Sequence, residues 1–278
     1  GSWIMKSSLI APIGYTLICK PSTQIDLQNG SMILARSGVR FVGNEDEKIV
    51  VTSTDKSGRG ITVIGQKLDT VLFEWVSFSN LSHAQIGNWK LSGAVNCHNS
   101  TVRFNYSYFG KNLAGDDFVN VTNSPFELEN SLFENVLSDA FDGDFTVGII
   151  RHVEFKNIGN DALDFSGSKV KIEQASLLKV GDKGISVGEN SSVIGESITI
   201  DSTEIGITCK DLSHGIFRNV TITNSGIGAV VFQKKEEFGP GNLELTQIEM
   251  NSVEIPYLIE KGSSIYVNES KVLGDRTN

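Results

Sequence analysis

The amino-acid sequence predicts an all-β, single-domain chain folded as a right-handed parallel β-helix, a solenoid with coils of about 22 residues. Three observations favour this fold. A strand-and-turn pattern repeats through the second half, turns rich in Asn and Ser fall at matching places, and one apolar column keeps the same spacing. Such a repeat is typical of a solenoid, in which each coil packs only on its neighbours.

The repeat is clearest in five successive coils that begin at Gly115. Each coil has a short alternating strand, a turn and a longer alternating strand, and alternation with period two indicates a strand with one buried face. The coils read GDDFVNVTNSPFELENSLFEN, SDAFDGDFTVGIIRHVEFKN, NDALDFSGSKVKIEQASLLK, GDKGISVGENSSVIGESITID and TEIGITCKDLSHGIFRNVTITN.

The turns and one apolar column fix the predicted register. Asn and Gly tolerate left-handed backbone angles, and Asn and Ser side chains hydrogen-bond nearby backbone, which suits the corner of a coil. The matching turns are Asn99-Ser100, Asn123-Ser124, Ser166-Gly167-Ser168 and Asn190-Ser191. The side chains predicted to stack along the axis are Phe78, Phe109, Phe133, Phe155, Leu178, Ile200 and Ile222.

We expect one domain over 1–278, with an N-terminal cap and first coils at 1–40, the solenoid at 41–256 and a C-terminal cap or tail at 257–278. A solenoid needs its ends closed against edge pairing. The polar stretches 55–60 and 234–241 are predicted loops that leave the solenoid.

Bulk properties exclude several classes of protein. A net charge of −9 argues against a nucleic-acid binder, which needs a basic face. Three widely spaced cysteines argue against a disulfide framework, and no apolar run reaches the ~20 residues of a membrane span. Gly1-Ser2 resembles a cloning remnant, so we expect any native signal or anchor to be absent from this chain.

Stacking of the coils predicts three polar ladders on the outer surface. The first contains Asn120, Asp142, Asp164, Ser186, Thr208 and Val230; the second contains Asp117, Asp139, Asp161 and then Asp182 or Lys183; the third contains Asp144, Ser166, Gly188 and Lys210. Adjacent coils lie ~4.8 Å apart. Carboxylates at that distance repel each other, so their pKa values should spread.

Three interpretations of this acidic cluster remain open. The aspartates make turns and backbone caps; or Asp142, Asp144 and Asp164 hold Ca²⁺; or carboxyl groups with separated pKa values act as acid and base on a sugar. The candidate catalytic residues are Asp139, Asp142, Asp161, Asp164 and Lys183. The candidate substrate-binding residues are Asn120, Asp144, Asp182, Ser186, Lys210, Arg151 and His152.

A further ladder of Glu129, Arg151 and Glu173 alternates in sign, which is typical of an ordinary cross-strand surface set. His152 beside it is interpreted as a solvated surface residue or, alternatively, a base. Aromatic residues are few, and most are Phe in a buried register, which weighs against a sugar-stacking platform. Trp75 and Trp89 are the best exceptions.

The strings SDAFD, NDALD and GDKGISVG at 138–188 resemble pectate-lyase-like solenoids, and most nearly the polygalacturonases of glycoside hydrolase family 28. Those enzymes carry an NTD coil, a DD coil and a GHG-x-S-x-G coil. By position, Asp139 and Asp161 match acidic residues of the first two coils, whereas Asn160 and Lys183 replace an Asp and the His. Much of the chain is also similar to bacterial β-helix repeat proteins of unassigned role.

The resemblance implies a secreted, periplasmic or cell-surface enzyme that cleaves or epimerises an extended glycan, with an acidic glycan expected. Lysis, C5-epimerisation and hydrolysis all remain open, and in the first two Lys183 is the candidate base and Ca²⁺ the candidate cofactor. The alternative is a non-catalytic glycan-binding or surface module. We expect a monomer whose partner is a polysaccharide.

Overall fold

The computed structural model of the chain describes residues 1–66 and 69–272. In that part every regular element is a strand, so no helix there is long and apolar enough to cross a membrane. The strands are, in chain order, β1 (Ser2–Met5), β2 (Leu9–Ala11), β3 (Leu17–Cys19), β4 (Gln24–Leu27), β5 (Ile33–Ala35), β6 (Val39–Val42), β7 (Ile49–Thr52), β8 (Ile61–Ile64), β9 (Thr70–Glu74), β10 (Val76–Ser79), β11 (Gln85–Ile86), β12 (Trp89–Lys90), β13 (Gly93–His98), β14 (Thr101–Asn105), β15 (Tyr108–Gly110), β16 (Asp117–Thr122), β17 (Phe126–Glu129), β18 (Leu132–Val136), β19 (Asp139–Asp144), β20 (Val147–Ile158), β21 (Leu163–Ser166), β22 (Lys169–Gly188), β23 (Ser192–Lys210), β24 (His214–Phe232), β25 (Asn242–Ile259), β26 (Ser264–Val267) and β27 (Ser270–Lys271).

Parallel pairing between coils joins these strands into three sheets that run along the solenoid. The first sheet stacks β2, β5, β8, β13, β16, β19 and β21, the second stacks β3, β6, β9, β14 and β17, and the third stacks β1, β4, β7, β10, β15 and β18. From β20 onward, long strands bend at the corners and serve two or three sheets in turn. The chain forms about 11 coils of roughly 23 residues, which confirms the predicted all-β parallel β-helix.

The interior is filled by apolar side chains that stack from coil to coil. In the third sheet, Phe78, Phe109, Phe133 and Phe155 lie in register, as predicted. Their successive ring centroids are 5.4, 4.4 and 5.0 Å apart in stacked geometry. Ring stacking of this kind adds to the free energy gained by burying each Phe.

The continuation of this column corrects one prediction. Phe155 pairs with Leu177, which is 1% exposed, and Leu177 pairs with Ile200. The predicted member, Leu178, pairs with Asp201 and is only half-buried. The turn between 188 and 192 has one residue more than the turn before it, so a step of 22 residues back from Ile200 reaches the wrong face of an alternating strand.

The corner between the first and second sheets uses left-handed backbone, as the turn residues predicted. Positive φ angles occur there at Asn99, Asn123, Phe145, Gly167, Asn190 and Leu212. The residues that follow form a buried hydroxyl ladder. Backbone N–H groups of Ser100, Thr146, Ser168 and Ser191 donate to the hydroxyls of Ser124, Ser168, Ser191 and Ser213 at 3.0, 3.0, 2.9 and 3.0 Å.

The predicted terminal segments contain short strands, and the predicted loops lie between strands. Residues 1–40 contain β1 to β5 and the start of β6, and 257–272 contain the end of β25 and the antiparallel pair β26–β27. The remainder of the predicted C-terminal segment, 273–278, lies outside the described residues. The stretches 55–60 and 234–241 connect strands, as predicted. An unpredicted hairpin, β11–β12, leaves the solenoid between β10 and β13.

Candidate functional site

The outer face of the first sheet carries the predicted polar ladders in register. Along the first ladder, Asn120 pairs with Asp142, Asp142 with Asp164, and Asp164 with Ser186. The row continues to Thr208 and Val230 as predicted, and it also extends backward to Asn96 and Thr62. We call the surface formed by the three ladders between Asp117 and Lys210 the acidic face.

The second ladder lies where strands of the first sheet begin, and it is tied together by hydrogen bonds. Asp139 Oδ1 accepts from the Asn160 side chain at 2.6 Å and from the Asp161 backbone N–H at 2.9 Å. Asp161 Oδ1 accepts from the Lys183 backbone N–H at 3.0 Å, and Lys183 Nζ lies 3.3 Å from the same oxygen. Lys183 also forms an ion pair with Asp182. Lys183 therefore continues this ladder, and its ammonium group is the cation beside Asp161.

Asn120 joins the first and third ladders. Its amide donates to Asp142 at 2.8 Å and to Asp144 at 3.3 Å. Farther along the axis, Lys210 Nζ donates to Ser186 at 3.2 Å. Asn120, Ser186 and Lys210 are buried, so these polar contacts form part of the floor of the acidic face.

Two residues outside the predicted set lie at the edge of the same face. Lys235 pairs with Glu189 at 2.7 Å, and Ser166 donates a hydrogen bond to Glu189. Burial opposes ionisation of Glu189, but these contacts lower its pKa overall. Lys235 comes from the 234–241 connection, so it could be found only once that loop was seen to fold back onto the acidic face.

Burial raises the pKa of most carboxyl groups here. It raises the pKa of Asp117 to about 7, with further increases from the charges of Asp139 and Asp144. It raises the pKa of Asp161 to about 7 even though Lys183 acts in the opposite direction. The pKa of Asp142 is raised well above its ordinary value by burial and then by the neighbouring carboxylates.

Burial also affects the pKa values of the other two aspartates and of Lys183. Burial raises the pKa values of Asp139 and Asp144. Burial alone would lower the pKa of Lys183, but the hydrogen bond to Asp182 and the charge of Asp161 raise it overall. Lys183 thus holds its proton more tightly than a free lysine. The predicted spread of carboxyl pKa values is present, and its main cause is burial rather than repulsion.

Oxygens of Asp139, Asp161 and Asp164 lie within 4.8 Å of one another, and this is the one such grouping found in residues 1–66 and 69–272. It shares only Asp164 with the predicted calcium set of Asp142, Asp144 and Asp164. Ca²⁺ takes six to eight oxygen ligands. Here Asp161 also pairs with the Lys183 ammonium at 3.3 Å, and Ca²⁺ at this face stays a prediction.

Arg151, His152 and Trp75 lie away from the acidic face. Arg151 is on the second sheet, where it pairs with Glu129 at 2.6 Å and Glu173 at 2.7 Å, as the alternating ladder predicted. His152 is an exposed corner residue with φ of 54° between the second and third sheets. These two predicted substrate-binding residues therefore lie outside the acidic face, and Arg151 belongs to a surface ion-pair network.

Trp75 and Trp89 have separate settings. Trp75 stacks on Tyr106 at a corner between the second and third sheets, with ring centroids 4.4 Å apart. Trp89 belongs to the β11–β12 hairpin, which connects back into the solenoid just before β13 of the first sheet. Phe118, Phe141 and Phe165 adjoin acidic aspartates in sequence but are buried, whereas Phe145, which directly follows Asp144, is 69% exposed.

Comparison with known proteins finds similar folds but no relative. No protein-family model and no curated protein matches the chain. Among solved structures, a variant catalytic domain of GH87 alpha-1,3-glucanase in complex with tetrasaccharides has 13% identity and a TM-score of 0.42; the match covers 96% of this chain and 63% of that one. The Agl-KA catalytic domain has 12% identity and a TM-score of 0.41, with 96% and 62% covered.

The periplasmic alginate epimerase AlgG has 9% identity and a TM-score of 0.49, with 96% of this chain and 77% of that chain covered. By contrast, the match to the two glucanase-type domains named above covers less than two thirds of their length. Likeness at this level concerns the fold alone and says nothing about which residues act or on what substrate.

Proposed function

We propose that this chain hydrolyses glycosidic bonds in an extended neutral polysaccharide, with Asp142 and Asp164 as the reacting pair. The observation that carries the proposal is their placement as in-register neighbours on the outer face of adjacent coils, both half-buried. Adjacent strands lie ~4.8 Å apart. That is close to the ~5–5.5 Å between the two carboxyl groups of retaining glycosidases.

Asp142 suits the role of general acid. Burial and the charges of Asp117, Asp144 and Asp164 raise its pKa, so it holds its proton more readily than an ordinary carboxyl group. A carboxylic acid in that state can protonate the oxygen of the leaving sugar, a step worth about 10²–10⁴-fold in rate.

Asp164 suits the role of nucleophile. Its Oδ1 atom is buried and has no hydrogen-bond partner among residues 1–66 and 69–272. The side chain as a whole is only half-buried, so its other carboxylate oxygen can attack the anomeric carbon and form a glycosyl-enzyme intermediate, which water then hydrolyses.

The charge of the acidic face leads us to propose a neutral glycan in place of the acidic one expected from the sequence. Carboxyl groups outnumber the lysines Lys183, Lys210 and Lys235 on this face. A uronate chain would bring more negative charge to partly buried carboxylates, which costs free energy.

The state of Lys183 favours hydrolysis over lysis or epimerisation. Both of those reactions need a base that removes the proton at C5, and the sequence offered Lys183 for that role. Its pKa is raised by Asp182 and Asp161, so it remains protonated at neutral pH. In our proposal Lys183 is a positioning residue that holds Asp161 beside Asp164.

The test is a reducing-end assay of the purified chain on neutral and acidic polysaccharides. We expect activity on a neutral glycan, a loss of at least 100-fold in Asp142→Asn and Asp164→Asn, and retention of anomeric configuration by NMR. Glu154→Gln, an exposed carboxylate on the third sheet, is the control and should retain activity.

Circular dichroism and thermal melting must show that each variant stays folded. The proposal fails if the parent is inert on every neutral polysaccharide, or if Asp142→Asn is fully active. Unsaturated products from a uronan would indicate lysis instead. Binding without turnover would indicate the non-catalytic glycan-binding module that the sequence left as an alternative.

A further inference from the structure

Phe145 is an unusual residue for its position. It lies at the corner between the first and second sheets, has φ of 51° and is 69% exposed. Bulky side chains rarely adopt this left-handed backbone region, whereas Asn and Gly do so readily. Four equivalent corners carry Asn99, Asn123, Gly167 and Asn190, and a fifth carries Leu212. Local stability therefore favours Asn or Gly here, and the Phe needs another explanation.

Stacking on another aromatic ring of the chain does not supply that explanation. Two other aromatic residues at corners, Trp75 and Tyr106, stack on each other in parallel. Phe145 takes part in no aromatic pair among residues 1–66 and 69–272. Its ring is therefore held at the surface without an aromatic partner.

The neighbouring coil is shaped to accept this ring. A Cβ atom placed on Gly167 would lie 2.6 Å from Phe145 Cδ1, so a side chain there would displace the ring from this position. The ring thus rests against the Gly167 backbone on one side. Asp144 precedes Phe145 on the acidic face, and Ser166 with its partner Glu189 lies beside Gly167.

We propose that Phe145 is the platform of a sugar-binding subsite that stacks one neutral hexopyranose ring beside the Asp142–Asp164 pair. The face of an aromatic ring carries partial negative charge and attracts the weakly positive C–H groups of a sugar. Ser166, Glu189 and Lys235 lie close by to bond the hydroxyls at the sugar's rim. This inference rests on the proposed function and adds the residue that selects an uncharged pyranose.

The test is calorimetric binding in the Asp142→Asn background, in which glycan is not consumed. The probes are tetrasaccharides of glucose, mannose, galactose and xylose, together with the neutral polysaccharides of the activity screen. We expect Phe145→Asn to raise the Kd for the glycan at least tenfold. Phe145→Trp should leave Kd within about threefold of its value or lower it, because a larger ring preserves the platform.

Phe145→Asn has a built-in control for folding. Asn suits the left-handed angle, so the melting temperature should stay level or rise while binding is lost. Leu212→Asn is the matched control. It makes a similar change at φ of 61° on the same corner, three coil steps or about 14 Å away, and should leave Kd within twofold.

Two results separate the inference from the proposed function. If Asp142→Asn binds a neutral glycan and Phe145→Asn binds it with the same Kd, the platform is overturned and the proposed function stands. If Asp142→Asn binds none of the probes and the parent is inert on them, the proposed function fails and the platform fails with it.

Discussion

Replacing Asp117 with Asn should stabilise this protein above neutral pH and leave it nearly unchanged at pH 4. Asp117 is 2% exposed, and its Oδ2 atom has no hydrogen-bond partner in the described part of the chain. Burial raises its pKa from 3.8 to about 7. Asn has the same shape without the charge, and its amide can donate to Asp139, which pairs with Asp117 in the next coil.

The direction of the pH dependence follows from proton binding. Between about pH 4 and 7 the folded chain keeps a proton on Asp117 that the unfolded chain releases. The stability of the parent should therefore fall as pH rises through this window, reaching its full loss above pH 7. The Asn variant carries no such group, so the difference between the two proteins should grow over the same range.

The raised pKa of Asp117 sets an upper bound on the gain in unfolding free energy. A rise from 3.8 to about 7 is roughly 3 units, or on the order of 4 kcal/mol at 1.36 kcal/mol per unit. Protons shared with Asp139 and Asp144 divide this cost among several carboxyl groups, so we expect a gain of about 1–3 kcal/mol at pH 8. At about 2–4 °C per kcal/mol, a gain of 2 kcal/mol raises Tm by about 4–8 °C.

The assay is thermal and urea unfolding of parent and variant at pH 4.5, 6 and 8. Asp116→Asn is the matched control, because it removes the same charge from the exposed neighbouring residue and should change stability by less than about 0.5 kcal/mol. A variant that is destabilised at pH 8, or a difference that does not change with pH, would refute the assignment of a buried, costly carboxylate.

Two further changes test the corner ladder and the cation of the acidic face. Ser168→Ala should cost about 1–3 kcal/mol of unfolding free energy, because it leaves the buried N–H of Thr146 unpaired. The control, Ser176→Ala at an exposed position, should cost little. Equal effects of the two changes in urea unfolding would contradict this prediction. Lys183→Met should destabilise more at pH 8 than at pH 5, because Lys183 compensates the charge of Asp161, whose pKa is about 7 in the parent and rises further when the ammonium group is removed. The exposed Lys169→Met should show no such pH dependence, and a flat profile for Lys183→Met would count against the ion pair.

The fold could be predicted because the repeat constrains it strongly. A period of about 22 residues fixes the length of each coil, and the alternation fixes which side chains enter the core. The predicted pairing of Phe133 with Phe155 is therefore correct. The same method failed at Leu178 because a single extra turn residue shifts the period by one. A period predicts register only while every corner has the same length, and the sequence does not mark in advance which corner is longer.

The acidic site could be predicted in part. The ladders came out in register because they follow from the period, but contacts between ladders do not. The approach of Asp164 to Asp139 and Asp161 depends on how side chains cross from one ladder to the next. The reach of Lys235 to Glu189 depends on the path of a loop. A signal for Phe145 was present, since Phe145-Thr146 stands where other coils have Asn-Ser.

The structure also divides the aspartates between the interpretations that the sequence left open. Asp139 and Asp161 each accept a backbone N–H from the next coil, so the structural interpretation accounts for them. Asp142 accepts only from the Asn120 side chain, and Asp164 Oδ1 has no partner within the described residues. Asp139 and Asp161 would therefore serve as backbone caps even in a β-helix without catalytic function. Burial opposes ionisation of Asp142, and neither Asp142 nor Asp164 Oδ1 accepts a backbone N–H, so this outward pair is the part of the acidic face that our proposal assigns to a ligand.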